Sequence, residues 1–214
     1  MKIWLLFLLL FTTNLCFSQK QSKLYDSIAA TFDLLNNMPF KELYLEDTSG
    51  HFYNTSSLYG KTIYVDFWFT SCPPCIKEIP YSTSLQQFFV ADTNIVFLSI
   101  CIDNVDRKPA WKQMIHDRQM SGIHLFYERN RPQKINLLRE YEITFPTYLL
   151  VNKEMKIIGY NAPRPSEEGW IQWAIVQSEN NVFLSESYKQ FIYQSKRYRE
   201  YINENWAKIV ALRK

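Results

Sequence analysis

The sequence is poor in the residues that build metal centres. Its 214 residues include four cysteines and three histidines, and His51, His116 and His124 lie far apart along the chain. A tetrahedral zinc site needs four Cys, His or carboxylate ligands at characteristic spacings, and no second Cys or His pair accompanies the one close cysteine pair. We therefore predict no metal and no cofactor.

An excess of charge of one sign is also lacking. Lys and Arg number 24 and Asp and Glu 21, which gives a formal net charge of +3. Nucleic-acid binding usually shows as a dense basic cluster, and none occurs here, so we expect no nucleic-acid partner. Hydrophobic residues make up 47% of the chain, which is ample for one packed core with extensions.

Long apolar runs are missing apart from one at the N-terminus. Lys2 is followed by an apolar run from Ile3 to Phe11 that is too short to span a bilayer. Small residues then precede Gln19, so residues 1–18 have the form of a secretory signal peptide, and we predict cleavage before Gln19 and a periplasmic location. Lipid attachment at Cys16 and an uncleaved anchor are the alternatives.

The clearest chemical signal is Cys72-Pro73-Pro74-Cys75. It follows an aromatic and β-branched run over 61–69, predicted to be a buried strand, and it opens a predicted helix over 73–90. Free N–H groups and the helix dipole would stabilise a thiolate at Cys72. Cys75, one turn later, could attack a mixed disulfide formed there. This pattern favours a redox pair over a structural disulfide or half a zinc site.

Strand and helix patterns alternate through the rest of the chain. Strands are predicted at 95–102, 123–127, 148–152 and 156–160, and helices at 104–120, from Asn130 onward, and at about 170–178 after a capping segment at 163–166. This order predicts an α/β fold with a mixed sheet. Cys101, at the end of a buried strand, is predicted to be a core residue.

The domain plan follows from the same patterns. We predict an N-terminal helical segment at 19–37, a central domain at 38–180 and an amphipathic helical extension at 181–214. The extension is basic, so it could lie on a membrane surface or contact another protein. We favour a helix packed on the domain.

Several motifs together resemble exported thioredoxin-like proteins of the TlpA/ResA type. They are Gly60-Lys61, Val65-Asp66-Phe67-Trp68, the Cys72–Cys75 segment, Glu78-Ile79-Pro80 and Phe145-Pro146-Thr147. The resemblance covers roughly 39–178. It implies a thioredoxin-like fold with a central mixed sheet flanked by helices. It also implies a thiol–disulfide oxidoreductase that a membrane electron donor keeps reduced and that reduces disulfides of exported proteins, including apocytochromes c.

The resemblance assigns catalytic roles to four residues. Cys72 matches the attacking cysteine and Cys75 the resolving one, so the two should form a redox disulfide. Asp66 matches a buried aspartate that could take the proton of the resolving thiol. Glu78 matches an acidic residue that shapes the site. The alternatives are a hydrogen-bonded core residue for Asp66 and a solvated helix residue for Glu78.

The resemblance also predicts where a substrate binds. Pro146 matches a cis-proline beside the cysteines, and the backbone at Phe145 could pair with an extended substrate strand. Pro73 and Trp68 complete the predicted substrate contacts. Ser71 departs from the family pattern, which usually has tryptophan before the first cysteine.

Two other functions stay open on the sequence alone. Thr70-Ser71-Cys72 loosely resembles the peroxidatic motif of peroxiredoxins, although its spacing is one residue short. A binding module that keeps the fold without turnover is the second alternative.

Overall fold

The computed structural model describes residue 23, residues 25–130 and residues 135–193. The predicted signal peptide, residues 131–134 and residues 194–214 lie outside the described residues. The strands are β1 Tyr44–Asp47, β2 Phe52–Asn54, β3 Thr62–Trp68, β4 Ile95–Asp103, β5 Ile123–Glu128, β6 Thr147–Val151 and β7 Ile157–Tyr160.

Helices precede, separate and follow these strands along the chain. They are α1 (residues 25–31), α2 Pro73–Phe88, α3 Lys108–Asp117, α4 Leu137–Glu140, α5 Trp170–Glu179 and α6 Leu184–Tyr193.

Three helix predictions differ from the structure at their starts. The predicted helix over 104–120 is shorter, because a 3-10 turn at Val105–Arg107 precedes α3. The helix predicted from Asn130 is confined to the single turn of α4 within the described residues. Residues 163–166 do not cap α5, since Gly169 occupies the N-cap position.

The strands form one mixed sheet in the order β2-β1-β5-β4-β3-β6-β7. Strand β3 pairs in parallel with β4, which pairs in parallel with β5, and the outer pairings are antiparallel. The predicted α/β class and mixed sheet are confirmed. The ends of β3 and β4 therefore meet at one edge of the sheet, where the two cysteines follow β3.

Alternate residues of β3 face opposite sides of the sheet, as a pleated strand requires. Ile63, Val65 and Phe67 join one hydrophobic core, whereas Tyr64 and Trp68 face the other side. Asp66 lies between these two on the same face, which helix α2 covers. A carboxyl group is thus placed between the sheet and helix α2.

Helices α1 and α6 pack together on the domain. The ring of Tyr188 lies 6.5 Å from that of Tyr25 and 5.3 Å from that of Phe32. Leu184 contacts Gly159 on β7, and a Cβ at Gly159 would lie 2.7 Å from the Leu184 Cβ. The described part of the predicted C-terminal extension is therefore a helix packed on the domain.

In the described part of the chain, no helix is both long and apolar enough to cross a membrane.

Candidate functional site

The two cysteines lie at the N-terminus of α2, on a turn that we call the redox turn (residues 69–75). Cys72 is the N-cap residue, and Pro73 follows at the first helical position. The Cys75 backbone N–H donates to Cys72 Sγ at 3.3 Å. A helix N-terminus presents such unpaired donors, so this sulfur lies where a thiolate would be stabilised.

Cys72 and Cys75 form a disulfide, with their Cα atoms 5.3 Å apart. Cys72 is only 2% exposed and Cys75 4% exposed. Neither sulfur is therefore open to solvent in this oxidised form. The cause is aromatic packing, since Phe69 and Phe145, with ring centroids 4.8 Å apart, pack against the cluster that contains the cysteines.

A hydrogen-bond network fixes the start of the redox turn. Thr70 donates to Asp103 Oδ2 from its backbone N–H at 3.0 Å and from its hydroxyl at 2.6 Å. Arg107 Nε donates to the Thr70 hydroxyl oxygen at 3.1 Å. Sequence reasoning missed this network. Its one local signal is an acidic residue, Asp103, that ends an apolar strand beside β3.

Asp66 lies on β3 and is half-buried. Its Oδ1 atom is buried and has no hydrogen-bond partner among the described residues. Burial, and secondarily the charge of Glu78, raise the pKa of the Asp66 carboxyl to about 7. A carboxyl group that titrates near neutrality can accept and release a proton during turnover.

Glu78 lies one turn after Cys75 on α2 and is 7% exposed. Ser166 donates to both of its carboxylate oxygens, from the backbone N–H and from the hydroxyl, each at 2.9 Å. The alternative of a solvated helix residue is therefore wrong. Ser166 is 88 residues away in sequence, so no local pattern could have indicated this contact.

An open groove runs beside the redox turn. The Phe145–Pro146 peptide bond is cis, as the resemblance implies. The groove, which we call the cis-proline groove, has a volume of about 330 Å³. It is lined by Thr144, Phe145, Pro146, Tyr148, Asn161, Ala162, Arg164 and Glu167. Pro73 is exposed at the start of α2.

Two predictions for buried residues have opposite outcomes. Trp68 is 1% exposed, and its Nε1–H donates to Ser99 Oγ at 2.8 Å. The predicted substrate contact at Trp68 is therefore wrong, because its side chain belongs to the core beneath the disulfide. Cys101 is a free, completely buried cysteine, as predicted, and burial raises the pKa of its thiol.

The arrangement combines a reducible disulfide, a groove beside it and, on the strand that leads into the redox turn, a carboxyl group with a pKa of about 7. Among residues 25–130 and 135–193, no group of three His, Cys, Asp or Glu side chains could hold a metal ion. The site is therefore equipped for proton-coupled thiol–disulfide exchange.

Comparisons with known proteins agree with this geometry. The model of the Redoxin family matches residues 35–169. The chain is 31% identical over 116 residues to the thiol-disulfide oxidoreductase ResA of Bacillus subtilis, an alignment that covers 53% of this chain and 60% of that protein. It is 25% identical to ResA of Halalkalibacterium halodurans, covering 53% of this chain and 61% of that protein. The chain thus spans about three fifths of the length of these curated relatives.

The fold is also similar to that of solved structures. The thioredoxin domain of a thiol-disulfide oxidoreductase from Bacteroides vulgatus superposes with a TM-score of 0.53 at 25% identity. The match covers 61% of this chain and 90% of that domain. Because the Redoxin match extends over more than half of the chain, the protein belongs to the Redoxin family.

Proposed function

We propose that the protein is an exported thiol–disulfide oxidoreductase that reduces disulfides of exported proteins. The observation that carries the proposal is the Cys72–Cys75 disulfide at the N-terminus of α2. Phe145 packs against the cluster that contains this disulfide, and it also lines the cis-proline groove. An extended substrate strand in that groove would lie beside the cysteines.

The reaction proceeds in two exchange steps. In the reduced protein, the Cys72 thiolate attacks a substrate disulfide, and one substrate sulfur leaves as a thiolate. Asp66 takes the proton of the Cys75 thiol, and the resulting Cys75 thiolate attacks Cys72 Sγ. The Cys72–substrate bond breaks, the Cys72–Cys75 disulfide forms, and the second substrate thiolate leaves.

Access to Cys72 requires a movement of aromatic side chains. The sulfur is covered in the oxidised form, and Phe69 and Phe145 are both only partly buried. A substrate that docks in the cis-proline groove would displace Phe145 from the cysteines. We infer that Phe145, Pro146 and Pro73 contact the substrate. Glu78, on α2 one turn after Cys75, shapes the site without contacting the substrate.

The proposal is tested with the reduced protein and a disulfide-bonded model substrate such as insulin. Cys72→Ser should abolish reduction, because it removes the sulfur at the N-cap of α2 that attacks the substrate. Cys75→Ser should accumulate a mixed disulfide between Cys72 and the substrate, visible by mass spectrometry. Turnover that survives in Cys72→Ser would refute the proposal.

The same two variants separate the alternative functions in further assays. Peroxide consumption that persists in Cys75→Ser would favour a peroxiredoxin-like peroxidase. If cells that carry Cys72→Ser keep the full biological function of this protein, the protein acts as a binding module without turnover.

The direction of transfer and the location are separate parts of the proposal. A reduction potential well below about −120 mV, the range of strong oxidants, supports a reductase.

Export predicts that a periplasmic fraction contains a chain beginning at Gln19, which N-terminal sequencing would detect. A membrane electron donor would keep Cys72 and Cys75 reduced in cells, and its loss would leave the pair oxidised. The domain plan of 19–37, 38–180 and 181–214 belongs to the same proposal.

A further inference from the structure

Three polar side chains form a row across the middle of the sheet. Asp66 on β3 is the register partner of Ser99 on β4, and Ser99 is the register partner of His124 on β5. Register partners point to the same face of a sheet, and adjacent strands lie about 4.8 Å apart. Asp66 and His124 are therefore about 10 Å apart at the backbone, with Ser99 between them.

The row lines a small cavity between the sheet and helix α2. Asp66, Ser99 and His124 lie on its inner side, and Ser82 and Gln86, both partly exposed, line it from α2. Its volume is about 20 Å³. A polar cavity of at least about 10–15 Å³ on this measure is large enough for one water molecule.

Two residues that line this cavity each carry a buried polar atom that has no partner among the described residues. These atoms are Asp66 Oδ1 and His124 Nδ1. His124 Nε2 donates to the Met120 carbonyl oxygen at 3.2 Å, so in the neutral ring Nδ1 carries no hydrogen and is an acceptor. Buried polar atoms are rarely left without partners, and no described residue donates to either atom, so a water in the cavity is a suitable donor to both.

Ser99 provides a third contact. Its oxygen accepts from Trp68 Nε1, which leaves the hydroxyl hydrogen free to be donated. One water could donate to Asp66 Oδ1 and to His124 Nδ1 while it accepts from Ser99. Three hydrogen bonds are typical of a buried structural water.

We propose that this cavity binds one structural water molecule and that His124 and Ser99 hold that water as a proton relay for Asp66. His124 is a positioning residue here, since it acts on the cysteines only through the water and Asp66. The relay rests on the proposed function, because it uses the proton that the Cys75 thiol gives up.

The proton balance of the relay is simple. The Cys75 thiol passes its proton to Asp66 as the Cys72–Cys75 bond forms and the substrate thiolate leaves. Asp66 then donates that proton to the water oxygen, and the water passes another proton to His124 Nδ1. Asp66 returns to a carboxylate, the water is regenerated, and the imidazolium of His124 loses its proton to solvent past Ser82 and Gln86. Because burial lowers the pKa of His124, the imidazolium would be short-lived.

Other ionisable groups face Asp66 from the surrounding elements. Glu78 on α2, Tyr64 on β3, Cys101 on β4 and Tyr148 on β6 interact with its charge. Glu78 raises the Asp66 pKa, and burial keeps the other three groups neutral near pH 7. None of the four lies between Asp66 and His124 in the row.

A matched pair of variants tests the relay. His124→Gln keeps a donor near the Nε2 position but removes the acceptor that faces the cavity. His124→Asn keeps an acceptor near the Nδ1 position. In stopped-flow measurements of mixed-disulfide resolution, we expect His124→Gln to be roughly tenfold slower at pH 7 with an altered pH profile. His124→Asn should be similarly slow, because its amide oxygen can hold the water but cannot accept a proton from it. A pH profile in His124→Gln equal to that of the unchanged protein would overturn the relay.

Two measurements on the unchanged protein remain decisive if these variants do not fold. A high-resolution crystal structure should show a water within hydrogen-bond distance of Asp66 Oδ1 and His124 Nδ1. The ¹⁵N shift of His124 Nδ1 should also follow the titration of Asp66, and this step should vanish in Asp66→Asn. An empty cavity, or a His124 signal that ignores Asp66, would overturn the proposal. Neither measurement needs turnover, so failure of the relay is distinct from failure of the proposed function, which would show as absent disulfide reduction.

Discussion

Two carboxyl groups near the redox turn have opposite surroundings. Asp103 ends β4 and accepts hydrogen bonds from the backbone N–H and hydroxyl of Thr70 and from the backbone N–H of Asn104. Asp66 lies on the adjacent strand, and its buried Oδ1 has no partner among the described residues. A buried carboxylate whose oxygens accept hydrogen bonds stabilises a structure. A buried carboxylate without such partners has a raised pKa and is more readily protonated. The comparison separates a residue that holds the turn from one suited to proton transfer.

The largest expected effect concerns Asp66 and stability. Its pKa is about 7 in the folded protein and about 3.9 in the unfolded chain. The folded state therefore binds more protons between these values, and stability falls as pH rises from about 4 to about 7, by up to about 4 kcal/mol. Asp66→Asn should remove this slope, as measured by urea unfolding of the oxidised protein across that pH range.

A control for this measurement is Asp117→Asn at the exposed end of α3. Hydrogen bonding from Gln113 lowers the pKa of Asp117, so the control should leave the slope above pH 4 unchanged. Equal slopes in the unchanged protein and Asp66→Asn would show that Asp66 does not titrate as described.

The next largest effect concerns Asp103. Asp103→Ala leaves the N–H and hydroxyl of Thr70 without their acceptor at a buried position, which should cost about 3 kcal/mol of unfolding free energy. Asp103→Asn keeps one carbonyl oxygen and should lose less. Thermal or urea unfolding measures both, and a loss below about 0.5 kcal/mol in Asp103→Ala would mean that the network does not stabilise the turn.

A smaller effect links Glu78 to Asp66. Glu78→Gln removes the charge that is the second cause of the raised Asp66 pKa, so that pKa should fall below 7. It should stay above the ordinary value because burial, the larger cause, remains. Carboxyl ¹³C shifts measure the titration. Ser166→Ala is the control, since it removes one donor and leaves the Glu78 charge in place; an unchanged Asp66 pKa in Glu78→Gln would contradict the coupling.

The smallest effect concerns the Thr70 hydroxyl. Thr70→Val removes one hydrogen bond to Asp103 and the acceptor for Arg107 but keeps the backbone N–H, so the loss should be about 1 kcal/mol. Thr70→Ser keeps the hydroxyl and should be nearly as stable as the unchanged protein. If both variants lose the same amount, the methyl group rather than the hydroxyl is responsible.

The sequence alone predicts what is local or periodic. The residue pattern predicts strand β3 and the start of α2, because an aromatic and β-branched run is followed by apolar residues at helical spacing. This change of pattern places both cysteines at the junction of the strand and the helix. The resemblance adds the cis bond at Pro146. Pro73 at the first helical position is likewise a local consequence of proline chemistry.

Long-range contacts are what the sequence does not predict. Ser166 reaches Glu78, and Asp103 reaches Thr70, across many intervening residues. The disulfide lies in a buried cluster against which Phe69 and Phe145 pack, and these residues are far apart in sequence. Sequence alone does not indicate which aromatic rings are buried. The substrate role predicted for Trp68 failed for the same reason.

The pairing of α1 with α6 matters for protein engineering. A chain cut at residue 180, the predicted end of the central domain, would expose Gly159, Phe32 and Trp170, which α6 contacts through Leu184, Tyr188 and Phe191. An expression variant that retains residues 25–193 would keep these apolar contacts buried, and it should resist aggregation better than the shorter chain.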